Sequence, residues 1–310
     1  MRYTTISVAL TVWLLHGAVG CGDDGEVATV VRRLELVAVD PTRRTPPNAS
    51  FPGAPERTIR FLVWKSESPD GSPGNRPLLI LAHGFGGLPE KFDALARTLA
   101  RSGATVVAPA FPLTNQNAPG GHETALRDVR NQPGDVSFLM GELAAARETP
   151  GHPLYQEFDP QKVLVLGHSL GAVTLLGLTR KACCIDPRIA AAIFVAPPPL
   201  LANVFGPDSP EPRTIPTLVV HGEADPVVAV QNGRDLYRLL TPPKAFLGVK
   251  GAGHSDLVES QLEPPIPARD AAQQAILAFV RGVFLGATNE LTTRLAQLHE
   301  QGHEVLVEWR

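Results

Sequence analysis

Short apolar runs alternate with amphipathic segments along most of this 310-residue chain. Six of the runs have the length and composition typical of strands that are buried on both faces. They lie at residues 78–82, 104–108, 163–166, 190–195, 217–220 and 245–249. The segments between them place apolar residues at helical spacing, at residues 89–102, 128–147, 169–181, 227–240 and 270–285. Because parallel strands need crossover connections, this alternation predicts an α/β fold with a mostly parallel central sheet and helices on both faces.

The two ends of this pattern differ from its middle. Residues 27–39 and 57–64 have strand character with no helix between them, which predicts an antiparallel edge. No linker-like stretch divides the rest of the chain, and 44% hydrophobic residues can supply one large core. We therefore expect a single domain over residues 27–286. Residues 287–310 are predicted to form a C-terminal extension, with a small helix and a strand packed on that domain.

The first 26 residues have the features of an export signal. A positive residue precedes a mostly apolar stretch, residues 6–15, which is too short to span a bilayer as a helix. Residues 18–21 then resemble the lipobox of bacterial lipoproteins, in which the cysteine thiol accepts a diacylglyceryl group. We expect a signal peptide over residues 1–20, lipidation of Cys21, a short linker over residues 21–26, and anchoring to the bacterial cell envelope. The alternative is an ordinary secretory signal with a chance cysteine.

Two further cysteines, Cys183 and Cys184, are adjacent in the sequence. In an oxidising compartment they are compatible with a vicinal disulfide. The alternative is one buried and one half-buried thiol near the end of a helix. Neither arrangement makes a zinc site, since no other cysteine or histidine lies at ligand spacing.

Two classes of function find little support in the sequence. The net charge of −3 and the lack of a basic run argue against a nucleic-acid partner. Residues 299–303 match the H-E-x-x-H signature of zinc proteases, but Gly302 weakens the helix that this signature requires and no third ligand follows. We expect neither a metal ion nor a cofactor.

Residues 167–171, Gly-His-Ser-Leu-Gly, carry the strongest chemical signal. They have the form G-x-S-x-G and stand between an apolar run and a helical segment. This context is typical of a nucleophile elbow, a sharp strand-to-helix turn that projects a serine hydroxyl from the edge of the sheet. Ser169 is therefore the candidate nucleophile, and the alternative is an inert serine in a turn.

A serine hydroxyl is a weak nucleophile at neutral pH and needs a base and an orienting acid. In elbow proteins these follow the serine in the order acid, then histidine. Asp225 comes just after the fifth of the six apolar runs, and His254 comes just after the sixth. We predict Asp225 as the acid and His254 as the base. Glu223, which comes one turn early, and Asp256, which follows the histidine, are the competing acids.

The oxyanion of an acyl-transfer intermediate needs two backbone N–H donors. One should come from Leu170, the residue after the candidate nucleophile. The other should come from residues 83–87, His-Gly-Phe-Gly-Gly, because glycines let the backbone approach a substrate oxygen. We predict Phe85 as this donor, with Gly84 or Gly86 as alternatives, and we expect its ring to form a wall of the acyl pocket.

Other residues at the strand ends are predicted to support the site without taking part in the chemistry. His83, His168 and His221 each stand next to a glycine at a strand end, and we predict structural roles for them. The loops at residues 109–121 and 197–199 follow strands at the same edge, and we expect them to shape the substrate pocket.

Together these motifs resemble those of the α/β-hydrolase superfamily. Over about residues 34–285, the chain is similar to bacterial members of the dienelactone hydrolase, chlorophyllase, platelet-activating-factor acetylhydrolase and polyester hydrolase cluster. The similarity includes residues 111–114, 117–121 and 131–136.

The resemblance implies an α/β-hydrolase fold, a catalytic triad of Ser169, Asp225 and His254, oxyanion donors at Phe85 and Leu170, and no cofactor. Dienelactone hydrolases themselves use cysteine as the nucleophile, so a serine at this position favours a serine esterase. We therefore expect a carboxylic-ester hydrolase that forms an acyl-enzyme and acts on a small-molecule or polymeric ester. The sequence shows no lid-like helical insertion, which favours short or medium acyl chains. A thioesterase, a peptidase and a non-catalytic binding lipoprotein of the same fold are the alternatives.

Overall fold

The computed structural model describes residues 29–67, 74, 76–199, 204–211, 213–259, 267–287 and 289–309. The predicted signal peptide, the predicted lipidation site Cys21 and the linker lie outside these residues. Within the described residues, no helix is both long and apolar enough to cross a membrane.

The described residues form one sheet of nine strands. The strands are β1 (Val31–Asp40), β2 (Arg57–Ser66), β3 (Arg76–Ala82), β4 (Thr105–Ala110), β5 (Phe158–His168), β6 (Ile189–Val195), β7 (Thr217–Gly222), β8 (Lys244–Val249) and β9 (Glu304–Glu308). Their order is β1-β2-β4-β3-β5-β6-β7-β8-β9. β3 to β8 run parallel, whereas β1 with β2, β2 with β4, and β8 with β9 pair antiparallel. All six parallel strands therefore end at one edge, the carboxyl edge.

Helices cover both faces of this sheet. Within the described residues they are α1 (Asp93–Arg101), α2 (Gln132–Arg147), α3 (Leu170–Arg180), α4 (Gln231–Leu239), α5 (Pro267–Phe284) and α6 (Glu290–Glu300). Apolar residues of α1, α5 and α6 pack in a cluster on one face, and those of α2, α3 and α4 pack in a second cluster on the other. The predicted α/β class, the mostly parallel sheet and its antiparallel first edge are confirmed.

The continuous apolar character of the central strands follows from this layering. In β5, Leu164 and Leu166 belong to the first cluster, and Val163 and Val165 belong to the second. Neighbouring side chains of a strand point to opposite faces, so both faces must be apolar when helices cover both. Full burial of one such side chain contributes about 1.5–3 kcal/mol.

Three helices begin later than their apolar spacing suggested. α1 begins at Asp93, after a 3₁₀ helix over Pro89–Phe92. α2 begins at Gln132, with Pro133 in its first turn, where a proline needs no N–H partner. The preceding residues, Leu126–Asn131, form a 3₁₀ helix. α4 begins at Gln231, after a turn in which the carboxylate of Asp225 accepts the N–H groups of Val227 and Val228.

The C-terminal extension contributes to the same core. Leu291, Leu295 and Leu298 of α6 are buried in the cluster that α5 also joins, and β9 adds the last strand beside β8. Both elements match the helix and strand expected for residues 287–310.

The buried Arg57 joins β2 to the segment that leads into α2 through buried ion pairs. Its guanidinium donates to Asp135 at 2.5 and 2.6 Å and to Asp128 at 2.8 Å, and all three side chains are almost fully excluded from solvent. Removing one partner of such a buried pair typically costs about 3–5 kcal/mol, because the other charge is left unpaired. This contact holds the start of α2 in place beside the carboxyl edge.

Candidate active site

Ser169 occupies a strained turn between β5 and α3, at the carboxyl edge. Its backbone has φ 53° and ψ −117°, a conformation that few residues other than glycine adopt. Such strain costs on the order of 1–3 kcal/mol and persists only where the surroundings hold it. Here the N–H of Ser169 donates to the carbonyl of Val195 at 2.9 Å, which ties the turn to the end of β6. This is the geometry of a nucleophile elbow.

The two glycines of the elbow are required by close backbone contacts. A Cβ at Gly167 would lie 2.4 Å from the carbonyl oxygen of Gly171. A Cβ at Gly171 would lie 2.1 Å from the carbonyl oxygen of Ala82, at the end of β3. Neither position can hold a side chain without moving backbone. The G-x-S-x-G pattern is thus explained by packing of α3 against β5 and β3.

Asp225 and His254 meet at the same edge, although 29 residues separate them. Asp225 follows β7, His254 follows β8, and His254 Nδ1 lies 2.7 Å from Asp225 Oδ2. The other carboxylate oxygen accepts the N–H groups of Val227 and Val228, both at 2.8 Å. Burial of the Asp225 carboxylate acts to raise its pKa, but the hydrogen bonds from Val228, His254 and Val227 outweigh burial and hold the pKa below its usual value. An ionised Asp225 fixes the proton of His254 on Nδ1 and leaves Nε2 as the basic nitrogen.

The other two candidate acids, Asp256 and Glu223, make different contacts. Asp256 Oδ2 accepts the N–H of Gly253 at 2.7 Å, so this carboxylate holds the turn that carries His254. Glu223 lies near Gly248 on β8, where a Cβ would be 3.2 Å from its Oε1. Of the three carboxylates considered from the sequence, the structure brings Asp225 to the histidine.

The turn at residues 84–87 lies next to the elbow. A Cβ at Gly84 would be 3.0 Å from Ser169 Cβ. The N–H of Gly86 donates to the carbonyl of Thr114 at 2.8 Å, and that of Gly87 donates to Gly84 at 2.9 Å. The Gly86 N–H is therefore engaged within the protein, which argues against this alternative for the oxyanion donor.

Phe85 and Leu170 retain the N–H groups expected of oxyanion donors. Among the described residues, no acceptor takes the N–H of Phe85 or of Gly84. Leu170 is the first residue of α3, and the first N–H groups of a helix have no acceptor within it. Phe85 and Leu170, like Gly84, therefore have N–H groups that are free to donate to a substrate oxygen.

The Phe85 side chain is 40% exposed beside this turn and packs edge-on against His122, with ring centroids 5.3 Å apart. His122 belongs to the segment after β4, and Asn48 holds that segment by donating to Pro119 and Gly121 at 2.8 and 2.6 Å. No sequence motif pointed to His122, because its contact with Phe85 depends on how two distant loops pack.

Three buried histidines, His83, His168 and His221, brace the loops of the site. His83 donates from Nδ1 to the carbonyl of Gly84 at 2.7 Å and accepts the N–H of Phe111 at 3.1 Å on Nε2. His168 Nε2 lies 2.9 Å from the carbonyl oxygen of His254, and the two rings pack 4.8 Å apart. His221 Nε2 lies 2.9 Å from the carbonyl of Val228, in the turn around Asp225. These contacts match the structural roles expected of the three residues.

Acid is expected to destabilise the fold through two of these histidines. Burial lowers the pKa of His83 to about 4 and that of His168 to about 3. In the unfolded chain both titrate near 6.5, so the unfolded state binds more protons between about pH 6 and pH 4. Stability should be retained above pH 6.5 and fall as pH drops, by about 1.4 kcal/mol per pH unit for each histidine. Denaturant unfolding from pH 7.5 to 4 measures this.

A His168→Gln variant is the control, since it keeps an N–H donor but cannot be protonated. In this variant the unfolding free energy should change less steeply with pH, and the slope should be smaller by about 1.4 kcal/mol per pH unit, the contribution of one histidine. An identical slope in wild type and variant would contradict the assignment of His168 as neutral in the folded state.

Cys183 and Cys184 form a vicinal disulfide in the turn after α3. This is one of the two arrangements that the sequence left open. Cys184 packs against the small apolar cluster that includes Leu170 and Phe205.

The H-E-x-x-H segment does not form a helical pair of histidines. α6 ends at Glu300, and Gly302 has φ 90°. His303 therefore lies outside the helix, where its Nδ1 accepts the N–H of Lys250 at 3.1 Å. Among the described residues, no group of three or more histidine, cysteine or carboxylate side chains is arranged to hold a metal ion.

A parallel sheet with a strained serine elbow, and with an Asp–His pair at the same edge, defines a hydrolase of the α/β class. The model of the alpha/beta hydrolase family matches residues 79–273, and the chain belongs to this family. The fold is also similar to the structure of a ferulic acid esterase from Streptomyces cinnamoneus, with a TM-score of 0.64 and 21% sequence identity. That match covers 84% of this chain and 92% of the other.

Proposed function

We propose that this hydrolase is a serine carboxylic-ester hydrolase acting through an acyl-enzyme, on short or medium acyl esters. The observation that carries the proposal is the 2.7 Å contact between Asp225 and His254, at the edge where the strained Ser169 and two free N–H groups also lie. These are the nucleophile, the base with its orienting acid, and the oxyanion donors of acyl transfer.

The mechanism follows from these groups. His254 Nε2 takes the proton of the Ser169 hydroxyl as Oγ attacks the ester carbonyl, and the N–H groups of Phe85 and Leu170 stabilise the oxyanion. Collapse of the tetrahedral intermediate breaks the ester C–O bond, and the imidazolium protonates the departing alcohol. Water then attacks the acyl-enzyme with His254 again as base, which releases the carboxylic acid and regenerates Ser169.

Two observations support an esterase with an apolar acyl pocket. The similar structure named above is a ferulic acid esterase. Phe85, exposed beside the elbow, offers an apolar wall for an acyl group. Thioesters and amides react through the same intermediates, so a panel of matched substrates separates the three acyl classes.

A fluorophosphonate probe and a substrate panel test the proposal. The purified protein should react covalently with the probe at Ser169 and hydrolyse p-nitrophenyl butyrate faster than matched thioester and amide substrates. Preference for the thioester or the amide would replace the esterase proposal with a thioesterase or a peptidase. A protein that neither reacts with the probe nor turns over any of the three would be a binding module.

We also propose that the mature protein begins at Cys21 and is held at the bacterial cell envelope by a lipid on that residue. The support comes from the sequence: residues 18–21 resemble a lipobox and follow a short apolar stretch. Mass spectrometry of the mature N-terminus should show a diacylglyceryl-modified Cys21, and an unmodified cysteine there would overturn this proposal.

A further inference from the structure

A chain of three buried polar side chains crosses the interior behind the candidate active site. Thr174 of α3 donates to Gln132 Oε1, and Gln132 Nε2 donates to Thr114 Oγ1 at 2.7 Å. All three residues are 0% exposed. We refer to Thr174, Gln132 and Thr114 as the polar chain.

One end of the polar chain reaches the turn at residues 84–87. The carbonyl of Thr114 accepts the N–H of Gly86 at 2.8 Å, and the N–H of Gln116 donates to Gly87 at 3.1 Å. Residues 114–116 and the turn are therefore joined by two backbone hydrogen bonds. Phe85, the candidate oxyanion donor, immediately precedes the glycine that Thr114 holds.

The other end reaches the helix that carries the second donor. Thr174 lies one turn after Leu170 on α3, and its hydroxyl oxygen is also 3.4 Å from the carbonyl oxygen of Leu170. The polar chain thus connects the backbone around Leu170 with the backbone around Phe85. It does so through α2, which Arg57 holds in place through Asp135.

A fully buried glutamine needs an explanation, because an apolar side chain of similar size would fill the same space at no cost in desolvation. The amide of Gln132 is used at both ends: its oxygen accepts from Thr174 and its nitrogen donates to Thr114. Directional bonds fix distances more narrowly than apolar contacts do. The polar chain is therefore suited to fixing the position of one element relative to another.

We propose that Gln132 is a positioning residue that, through Thr174 and Thr114, sets the distance between the N–H donors of Leu170 and Phe85. The inference rests on the function proposed above and deepens it. An oxyanion hole works only when both donors point at the place where the negative charge develops, so a small displacement of either lowers the rate.

The experiment compares two buried threonines on the same helix. Thr174→Val removes the hydroxyl that bonds to Gln132, whereas Thr179→Val removes a hydroxyl whose partner among the described residues lies within α3, the carbonyl of Leu175 at 2.7 Å. Thr174→Ser retains the hydroxyl, and Gln132→Leu removes both bonds of the amide. For each variant kcat, KM, the thermal midpoint of unfolding and inhibition by an alkyl boronic acid are measured. The tetrahedral boronate formed on Ser169 places an oxygen in the oxyanion hole.

Thr174→Val and Gln132→Leu are expected to lower kcat by roughly 10- to 100-fold, with KM changed less than about 3-fold. Boronic acid inhibition should weaken in parallel with kcat. Thr179→Val and Thr174→Ser should stay within about 3-fold of wild type in kcat and inhibition.

A lower thermal midpoint with unchanged kcat and inhibition in Thr174→Val would overturn the proposal and leave the polar chain a purely structural feature. A change confined to KM would overturn it as well. If Gln132→Leu does not fold, the comparison of Thr174→Val with Thr174→Ser and Thr179→Val decides. The proposed function is judged separately, by probe labelling and ester turnover of the wild type.

Discussion

Replacing Ser169 by alanine is expected to lower ester turnover by roughly 10⁴–10⁶-fold, because the acyl-enzyme cannot form without the hydroxyl. The substitution removes one oxygen atom and keeps the backbone, so the fold should survive with a free energy of unfolding within about 1 kcal/mol of wild type. Residual activity would come from the oxyanion donors and from substrate binding alone. The measurement is kcat for p-nitrophenyl butyrate, with enzyme concentrations high enough to detect the residual rate.

Ser102→Ala serves as the matched control for this experiment. Ser102 directly follows α1, where its hydroxyl donates to the carbonyl of Leu99 at 2.7 Å, far along the chain from the candidate site. It should retain full activity and full reaction with the fluorophosphonate probe. Ser169→Ala should lose both, and turnover equal to wild type in this variant would remove Ser169 from the mechanism.

Replacing Asp225 by asparagine is expected to lower kcat by roughly 10³–10⁴-fold. The carboxylate is fully buried and lies 2.7 Å from His254 Nδ1, so it selects the tautomer with the proton on Nδ1. An amide at this position can donate to Nδ1 and favours the opposite tautomer, which places the proton on Nε2 and removes the base. Its oxygen can still accept the N–H groups of Val227 and Val228, which favours retention of the turn.

Asp256→Asn distinguishes this role from a general effect of a carboxylate near the histidine. Asp256 accepts the N–H of Gly253, and an amide oxygen can accept the same bond, so kcat should fall less than about 10-fold. Larger losses in Asp256→Asn than in Asp225→Asn would reverse the assignment of the acid. Both variants are measured with the same ester, alongside the thermal midpoint of unfolding.

Individual strands and helices could be predicted from the sequence, because the spacing of apolar residues reflects which side chains are buried. The apolar runs later seen as β3, β5 and β7 contain residues that face both cores, so each was recognisable as a central strand. Element ends were less predictable where a local turn precedes a helix. Before α4, Asp225 accepts the N–H groups of Val227 and Val228 in such a turn, and the helix begins only at Gln231.

The candidate site also contains residues that the sequence predicted and residues that only the structure identified. The serine of G-x-S-x-G, an acid after one strand and a histidine after the next could be selected from chain order and strand ends. The choice of Asp225 over Glu223 and Asp256 agrees with the observed 2.7 Å contact. For the oxyanion donor, the sequence favoured Phe85 and left Gly84 and Gly86 as alternatives. Only the structure shows that the N–H of Gly86 already donates to Thr114.

Spacing and hydrophobicity are local properties of the chain, so they were enough to predict the class of fold, the elbow and the residue types available for chemistry. Three features became visible only in the folded chain: the carboxylate that reaches His254, the N–H groups of the turn that stay free, and the bridge that Gln132 makes between Thr174 and Thr114. These outcomes depend on distances between residues far apart in the chain. Such distances are set by how α2, α3 and the loops pack on the sheet, and no local pattern encodes them.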